Sequence, residues 1–194
     1  MIAIIDYKMG NLRSVENALK RLGAEFTVTA DAYVIRSADR VLLPGVGNAA
    51  EAMENLRKAD LTQVIRSLRR PVLGICVGMQ VMCRHSEEGD CNCLNIFDSH
   101  VKRFVPTQEL KVPHMGWNKI SNLESKLFKG ISGGEYVYFV HSYYPELCPD
   151  TIATTTHGAM FSSALKYENF YGTQFHPEKS GDVGEKIIEN FLNL

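Results

Sequence analysis

The chain opens on an unbroken apolar run, Ile2 to Ile5, ended by Asp6. A run without polar alternation fits a strand buried on both faces, so Ile2 to Asp6 reads as the first strand. A turn is expected around Lys8 to Gly10. Leu12, Val15, Leu19 and Leu22 then recur at helical spacing, with Asn11 as the expected N-cap and Gly23 as the stop. Phe26 to Thr29 and Arg40 to Leu43 read as further strands, the latter closed by Pro44-Gly45-Val46-Gly47. Helical patterns cover Ala49 to Lys58 and Leu61 to Arg69. Pro71 to Ile75 is a short apolar strand, and a helix is expected directly after Cys76. This alternation of strand and helix implies a parallel sheet with helices on both faces.

The second half has a different rhythm. Tyr136 to Val140, Ile152 to Thr156, Phe161 to Tyr167 and Phe170 to Phe175 are β-type runs with few helical patterns between them. His157-Gly158 sits where a hairpin turn belongs, so an antiparallel extension of the sheet is expected there. Val112 to Asn118 stands apart from these runs; it carries Pro113 and Gly116 and reads as a loop. Val183 to Leu192 closes the chain as an amphipathic helix. With no internal repeat and no linker, one domain over residues 1–194 is expected.

Composition narrows the function classes. Lys plus Arg number 21 against 22 Asp plus Glu, a formal net charge of −1. The densest basic spot is only Arg66, Arg69 and Arg70, which argues against nucleic acid or a membrane surface as partner. No apolar run approaches the roughly 20 residues needed to span a bilayer. The N-terminus has no basic region ahead of its apolar run, so no secretory signal is expected and the cytoplasm is the expected location. The five cysteines are Cys76, Cys83, Cys91, Cys93 and Cys148, an odd number without C-x-x-C, which reads as free thiols. Cys91 and Cys93, with His85 and His100 nearby, admit a metal site. Their spacing fits no standard zinc pattern, and two thiols in a loop is the preferred reading.

The sharpest chemical signal is Gly74-Ile75-Cys76-Val77-Gly78, between an expected strand and an expected helix. A nucleophile on a strand-to-helix elbow needs small neighbours two residues either side, where backbones approach closely. A helix N-terminus also favours the thiolate. The bland alternative is a small buried cysteine in tight packing. A cysteine nucleophile needs a base and an orienter. His176-Pro177-Glu178 follows an expected strand, and loops at the carboxyl ends of strands converge on one crevice. His176 can take the thiol proton and Glu178 can fix its tautomer. Alone, His-Pro-Glu would read as a surface turn; beside a cysteine elbow it reads as chemistry. Backbone N–H groups of Val46 and Gly47, with that of Val77, can form an oxyanion hole. Such a mechanism requires no metal and no organic cofactor.

These pieces together resemble the class I (triad) glutamine amidotransferases: P-G-V-G at Pro44 to Gly47, G-I-C-V-G-M-Q at Gly74 to Gln80, and Y-G-T-Q-F-H-P-E-K-S at Tyr171 to Ser180. Within that class, V-P-H-M-G-W-N at Val112 to Asn118 and V-Y-F-V-H-S-Y at Val137 to Tyr143 look like the glutaminase subunits of imidazole glycerol phosphate synthases, from histidine biosynthesis. The resemblance implies a flavodoxin-like three-layer α/β sandwich. It implies Cys76 as nucleophile, His176 as acid and base, and Glu178 as orienter. Gly47, Gln80, Glu88, Ser142 and Tyr143 would hold glutamine. Met115 and Trp117 would face a partner, a (β/α)8-barrel synthase subunit that receives the ammonia; Tyr138 and Lys179 would relay activation from it. Asp90-Cys91-Asn92-Cys93-Leu94-Asn95 and Asn48-Ala49-Ala50 depart from the usual family pattern. Two alternatives stand beside this reading: another amidotransferase subunit or free cysteine hydrolase of the same fold, and a non-catalytic thiol or binding protein.

Overall fold

The computed structural model describes residues 1–194. The first half runs β1 (Ile2–Ile5), α1 (Leu12–Arg21), β2 (Phe26–Thr29), α2 (Ala32–Ser37), β3 (Arg40–Gly45), α3 (Ala49–Lys58), α4 (Leu61–Arg66), β4 (Val72–Cys76) and α5 (Val77–Gln80). Short strands follow: β5 (His85–Ser86), β6 (Cys91–Asn92), β7 (His100–Arg103), β8 (His114–Lys119), β9 (Tyr136–His141) and β10 (Tyr143–Pro145). The chain ends with β11 (Thr151–His157), β12 (Ala159–Tyr167), β13 (Phe170–Thr173) and α6 (Gly181–Leu192).

The main sheet has seven strands in the order β11-β12-β13-β4-β3-β1-β2. The strands from β13 to β2 are parallel, and β12 and β11 add to that edge antiparallel. The chain steps from β1 outward to β2, then back past β1 to β3 and β4. Right-handed crossovers therefore send α1 to one face and α2, α3 and α4 to the other. The contacts agree: α4 packs on both α2 and α3, while α1 and α6 both meet the turn Pro177–Lys179. The result is the flavodoxin-like layered α/β arrangement expected from the sequence, with the antiparallel extension in its C-terminal half.

Several local expectations need correcting. Asn11 makes no side-chain bond to the start of α1. Helix α2 has no counterpart among the expected elements; it is short, and Asp31 caps it by accepting from the N–H groups of Tyr33 and Val34. Helix α4 stops at Arg66 rather than Arg69, because Leu68 N–H turns back to Ile65 O in a tighter bend. The segment holding Met115 and Trp117 is not a loop but β8, paired antiparallel with β9 from His114↔His141 to Lys119↔Tyr136. The segment around His85 and His100 forms a separate four-stranded sheet, β10-β7-β5-β6. No helix is long and apolar enough to cross a membrane.

Candidate active site

The carboxyl ends of β1, β3, β4 and β13 lead, in turn, to Tyr7, Val46-Gly47, Cys76 and His176. Ligand crevices of open α/β sheets form outside the carboxyl ends of the strands. Cys76 ends β4 at φ 55°, ψ −112°, a conformation that costs a non-glycine residue about 1–3 kcal/mol. The elbow is steric as much as conformational. A Cβ on Gly78 would lie 1.7 Å from the carbonyl oxygen of Leu43, and one on Gly74 would lie 2.7 Å from the Gly78 backbone. Only glycine lets β3 and β4 approach the start of α5 so closely. Val77 opens α5, so its N–H has no acceptor a turn earlier. The helix expected directly after Cys76 is there, and it is only one turn long.

A cavity of about 320 Å³ lies over this elbow. Val46, Gly47, Cys76, Val77, Gln80, Glu88, Ser142, Tyr143, His176 and Lys179 all line it, with Pro113, Val140 and His141. Glu178 lies behind His176, its Oε1 2.8 Å from Nδ1, both side chains 2% exposed. Met115, Trp117 and Tyr138 lie outside the cavity. Three hollows elsewhere are larger, about 520 Å³ beside Phe104 and Leu110, about 590 Å³ beside Lys126 and Lys186, and about 340 Å³ beside Phe97 and Asp98. None of them is lined by a cysteine or histidine, so size alone does not mark the site.

Each lining group is held from a different direction. Gly47 has φ +91°, and neither Val46 nor Gly47 donates its N–H within the chain. Glu88 accepts from Ala49 N–H at 2.8 Å, and burial raises its carboxyl above the usual range against that bond. Gln80 donates both amide hydrogens, to Tyr143 O and Gln174 Oε1, leaving only its own oxygen for a ligand. Burial draws the His176 pKa down, but the charge on Cys76 and the bond to Glu178 outweigh it, and the value rises to about 10. His176 Nε2 has no hydrogen-bond partner within the chain and is left to face the cavity that Cys76 also lines. The His176 backbone N–H is bonded to Tyr138 O at 2.9 Å, which ties this loop to β9.

Sequence reasoning gives no role to four other groups here. Gln174 is fully buried and donates to Cys76 Sγ at 3.6 Å. Tyr7 is buried with its hydroxyl unpaired; burial, then Cys76, raises its pKa. His114 and His141 bond to each other at 2.9 Å. Gln174 stands in the quoted Y-G-T-Q-F-H-P-E segment, but nothing in the sequence reveals which way its amide points. By contrast, Cys91, Cys93, His85 and His100 do not converge: no cluster of three or more His, Cys, Asp or Glu side chains is arranged to hold a metal.

Burial draws the His141 pKa down to about 3, against the opposing pull of the Tyr143 carbonyl. The folded value lies below the unfolded one of about 6.5. Above that pH both states are neutral and nothing changes. Below it the unfolded chain gains a proton that the folded chain refuses, so stability falls by about 1.4 kcal/mol per pH unit. Urea titrations should show about 2 kcal/mol lost through this group between pH 6.5 and 5. His141→Gln should make the loss smaller by about that amount; an unchanged slope would assign it elsewhere.

The model of the glutamine amidotransferase class-I family matches residues 3–194. The chain belongs to the class-I glutamine amidotransferase family. Among curated proteins it is similar to "Imidazole glycerol phosphate synthase subunit HisH" of Bacteroides thetaiotaomicron, 56% identical over 100% of this chain and 99% of that one. The protein of the same name from Bacteroides fragilis is 57% identical over 100% of this chain and 99% of that one. Among solved structures, a glutamine amidotransferase from Thermotoga maritima superposes with a TM-score of 0.64 at 18% identity, covering 99% of this chain and 82% of that one. That likeness speaks for the fold alone.

Proposed function

We propose that the chain is the glutaminase subunit of imidazole glycerol phosphate synthase, an enzyme of histidine biosynthesis. It hydrolyses glutamine to glutamate and ammonia and delivers the ammonia to a synthase partner. The carrying observation is the end-to-end match to HisH subunits at 56% identity, on a chain with one thiol beside a buried His–Glu pair.

Cys76 attacks the side-chain carboxamide carbon of glutamine. His176, protonated in its pair with Cys76, gives its proton to the leaving nitrogen, and ammonia departs as the thioester forms. Water then attacks the thioester while His176 takes its proton. The C–S bond breaks, the thiolate returns and glutamate leaves. Glu178 holds His176 Nδ1–H throughout and stabilises the imidazolium. Val77 N–H and the Val46–Gly47 peptide receive the oxyanion. Glu88, Ser142, Tyr143 and the Gln80 oxygen hold the amino acid's polar groups, and Gly47 lets the backbone approach it.

The partner is a (β/α)8-barrel cyclase in a heterodimer, located in the cytoplasm; the assembled enzyme is a lyase producing imidazole glycerol phosphate and aminoimidazole carboxamide ribotide. Met115, 64% exposed, and Trp117, 55% exposed, stand on β8 as its docking face. Trp117 meets Tyr138 edge-on at 6.1 Å, and Tyr138 holds the His176 backbone. Lys179, two residues beyond the triad's proline, joins this relay. The test is co-purification with the cognate barrel and a glutamine-dependent synthase assay. Failure to bind, with intact glutaminase activity, would point to another amidotransferase. Trp117→Ala should weaken binding by more than about 2 kcal/mol, roughly 30-fold, as at interface hot spots. Its exposure predicts an unchanged melting temperature for the isolated chain.

A further inference from the structure

The carbonyl oxygen of Tyr143 can only accept hydrogen bonds. It lies 2.9 Å from Gln80 Nε2 and 2.7 Å from His141 Nδ1, so both must present an N–H to it. That one acceptor fixes the direction of two buried chains. On the first, the second hydrogen of Gln80 Nε2 meets Gln174 Oε1 at 2.8 Å. The oxygen of Gln174 is thereby committed to Gln80, and its NH2 faces Cys76 Sγ at 3.6 Å. On the second, the proton on His141 Nδ1 leaves Nε2 as the acceptor for His114 Nδ1–H at 2.9 Å. His114 Nε2 then accepts from Asn118 Nδ2 at 3.1 Å. Turning the Gln174 amide over would set two N–H groups against each other, so the donor on the sulfur is permanent.

We propose that Gln174 is a further catalytic residue: its amide N–H sits on the nucleophilic sulfur and favours the thiolate. The proposal rests on the reading of Cys76 as nucleophile. The sulfur has one competing neighbour, Val140 O at 3.9 Å, which can bond only the protonated thiol. A hydrogen bond to an ionised acceptor is about twice as strong as one to a neutral acceptor. The Gln174 bond therefore tips the balance towards charge, without a titration of its own. The same N–H helps the second half of the reaction. As the thioester C–S bond breaks, its electron pair returns to sulfur, and a donor is already in place to receive the charge.

The test is the pH dependence of Cys76 alkylation by iodoacetamide in the full chain, read at the Cys76 peptide by mass spectrometry. Tyr7, Glu88, His141, His176 with Glu178, and Lys179 also face the sulfur or its cavity, so the observed midpoint belongs to the group. The readout is therefore the difference between variant and parent. Gln174→Met should raise the midpoint by about one pH unit, which is about tenfold less thiolate at any pH below it. Gln174→Glu keeps the shape and the acceptor for Gln80 but turns an oxygen to the sulfur; its midpoint should rise at least as far. A lower melting temperature with an unchanged midpoint would make Gln174 a packing residue and overturn the proposal, as would failure of both variants to fold. Glutamine turnover by the wild-type complex is a separate measurement. Its absence would overturn the glutaminase reading, while the alkylation midpoint would still decide Gln174.

Discussion

Cys76→Ala should abolish glutamine-dependent synthesis by the assembled enzyme, with a loss of at least about 10⁴-fold, because the proposed thioester step has no other nucleophile. Ammonia supplied in solution should still be used at the parent rate, since that chemistry belongs to the partner subunit. The other thiols offer no substitute. Cys83 is completely buried, and burial holds its thiol well above the ordinary range. Burial likewise raises Cys91, Cys93 and Cys148. None of these four lines the cavity. Serine at any of them should leave turnover within a few-fold. Loss of ammonia-dependent synthesis together with glutamine-dependent synthesis would instead assign Cys76 a structural role.

Glutamate release by the complex should rise by about 10²–10³-fold when a non-reacting acceptor analogue occupies the partner subunit, the range associated with one oxyanion donor. The motivation is the strand end at Pro44 to Gly47. Val46 is 37% exposed, Gly47 has φ +91°, and the N–H groups of both are without partners in the chain. A peptide with no bond to break and a glycine on one side can turn over at small cost. A Cβ on Gly47 would touch only Met9 Cε, at 3.4 Å, so Gly47→Ala acts through backbone strain rather than collision. It should shift the unstimulated rate or the stimulation factor and leave the affinity for the partner subunit nearly unchanged. Stimulation below about tenfold would remove the gating idea, since a recruited donor is worth more than that.

Some of this protein is written locally in its chain. The sheet's parallel half follows from short apolar runs alternating with helical periodicity, a pattern each segment carries by itself. The elbow is equally local, because Gly74 and Gly78 are needed wherever a strand turns into a helix against a neighbouring strand. Helix α2 escapes that reading. Its six residues bury only Ile35 and leave Tyr33 81% exposed, so no amphipathic stripe announces it. Strand β8 escapes it too. Its Pro-Gly composition looks like a loop, and only the ladder to β9 makes it a strand.

The resemblance singles out Gln80 and Tyr143, but the hydrogen bonds of the polar network around Cys76 are not legible in the sequence. Gln80, Tyr143 and Gln174 come from three distant segments and meet through bonds of 2.8 and 2.9 Å. Residue types can say that an amide is present, but not which end faces the sulfur. That direction descends from one backbone carbonyl, at Tyr143, whose oxygen has no donor state. The sequence by itself thus determined the fold class and named the thiol, the histidine and the carboxylate. Only the tertiary structure decided where protons sit among them, because hydrogen-bond direction is set by partners that packing, not chain order, brings together.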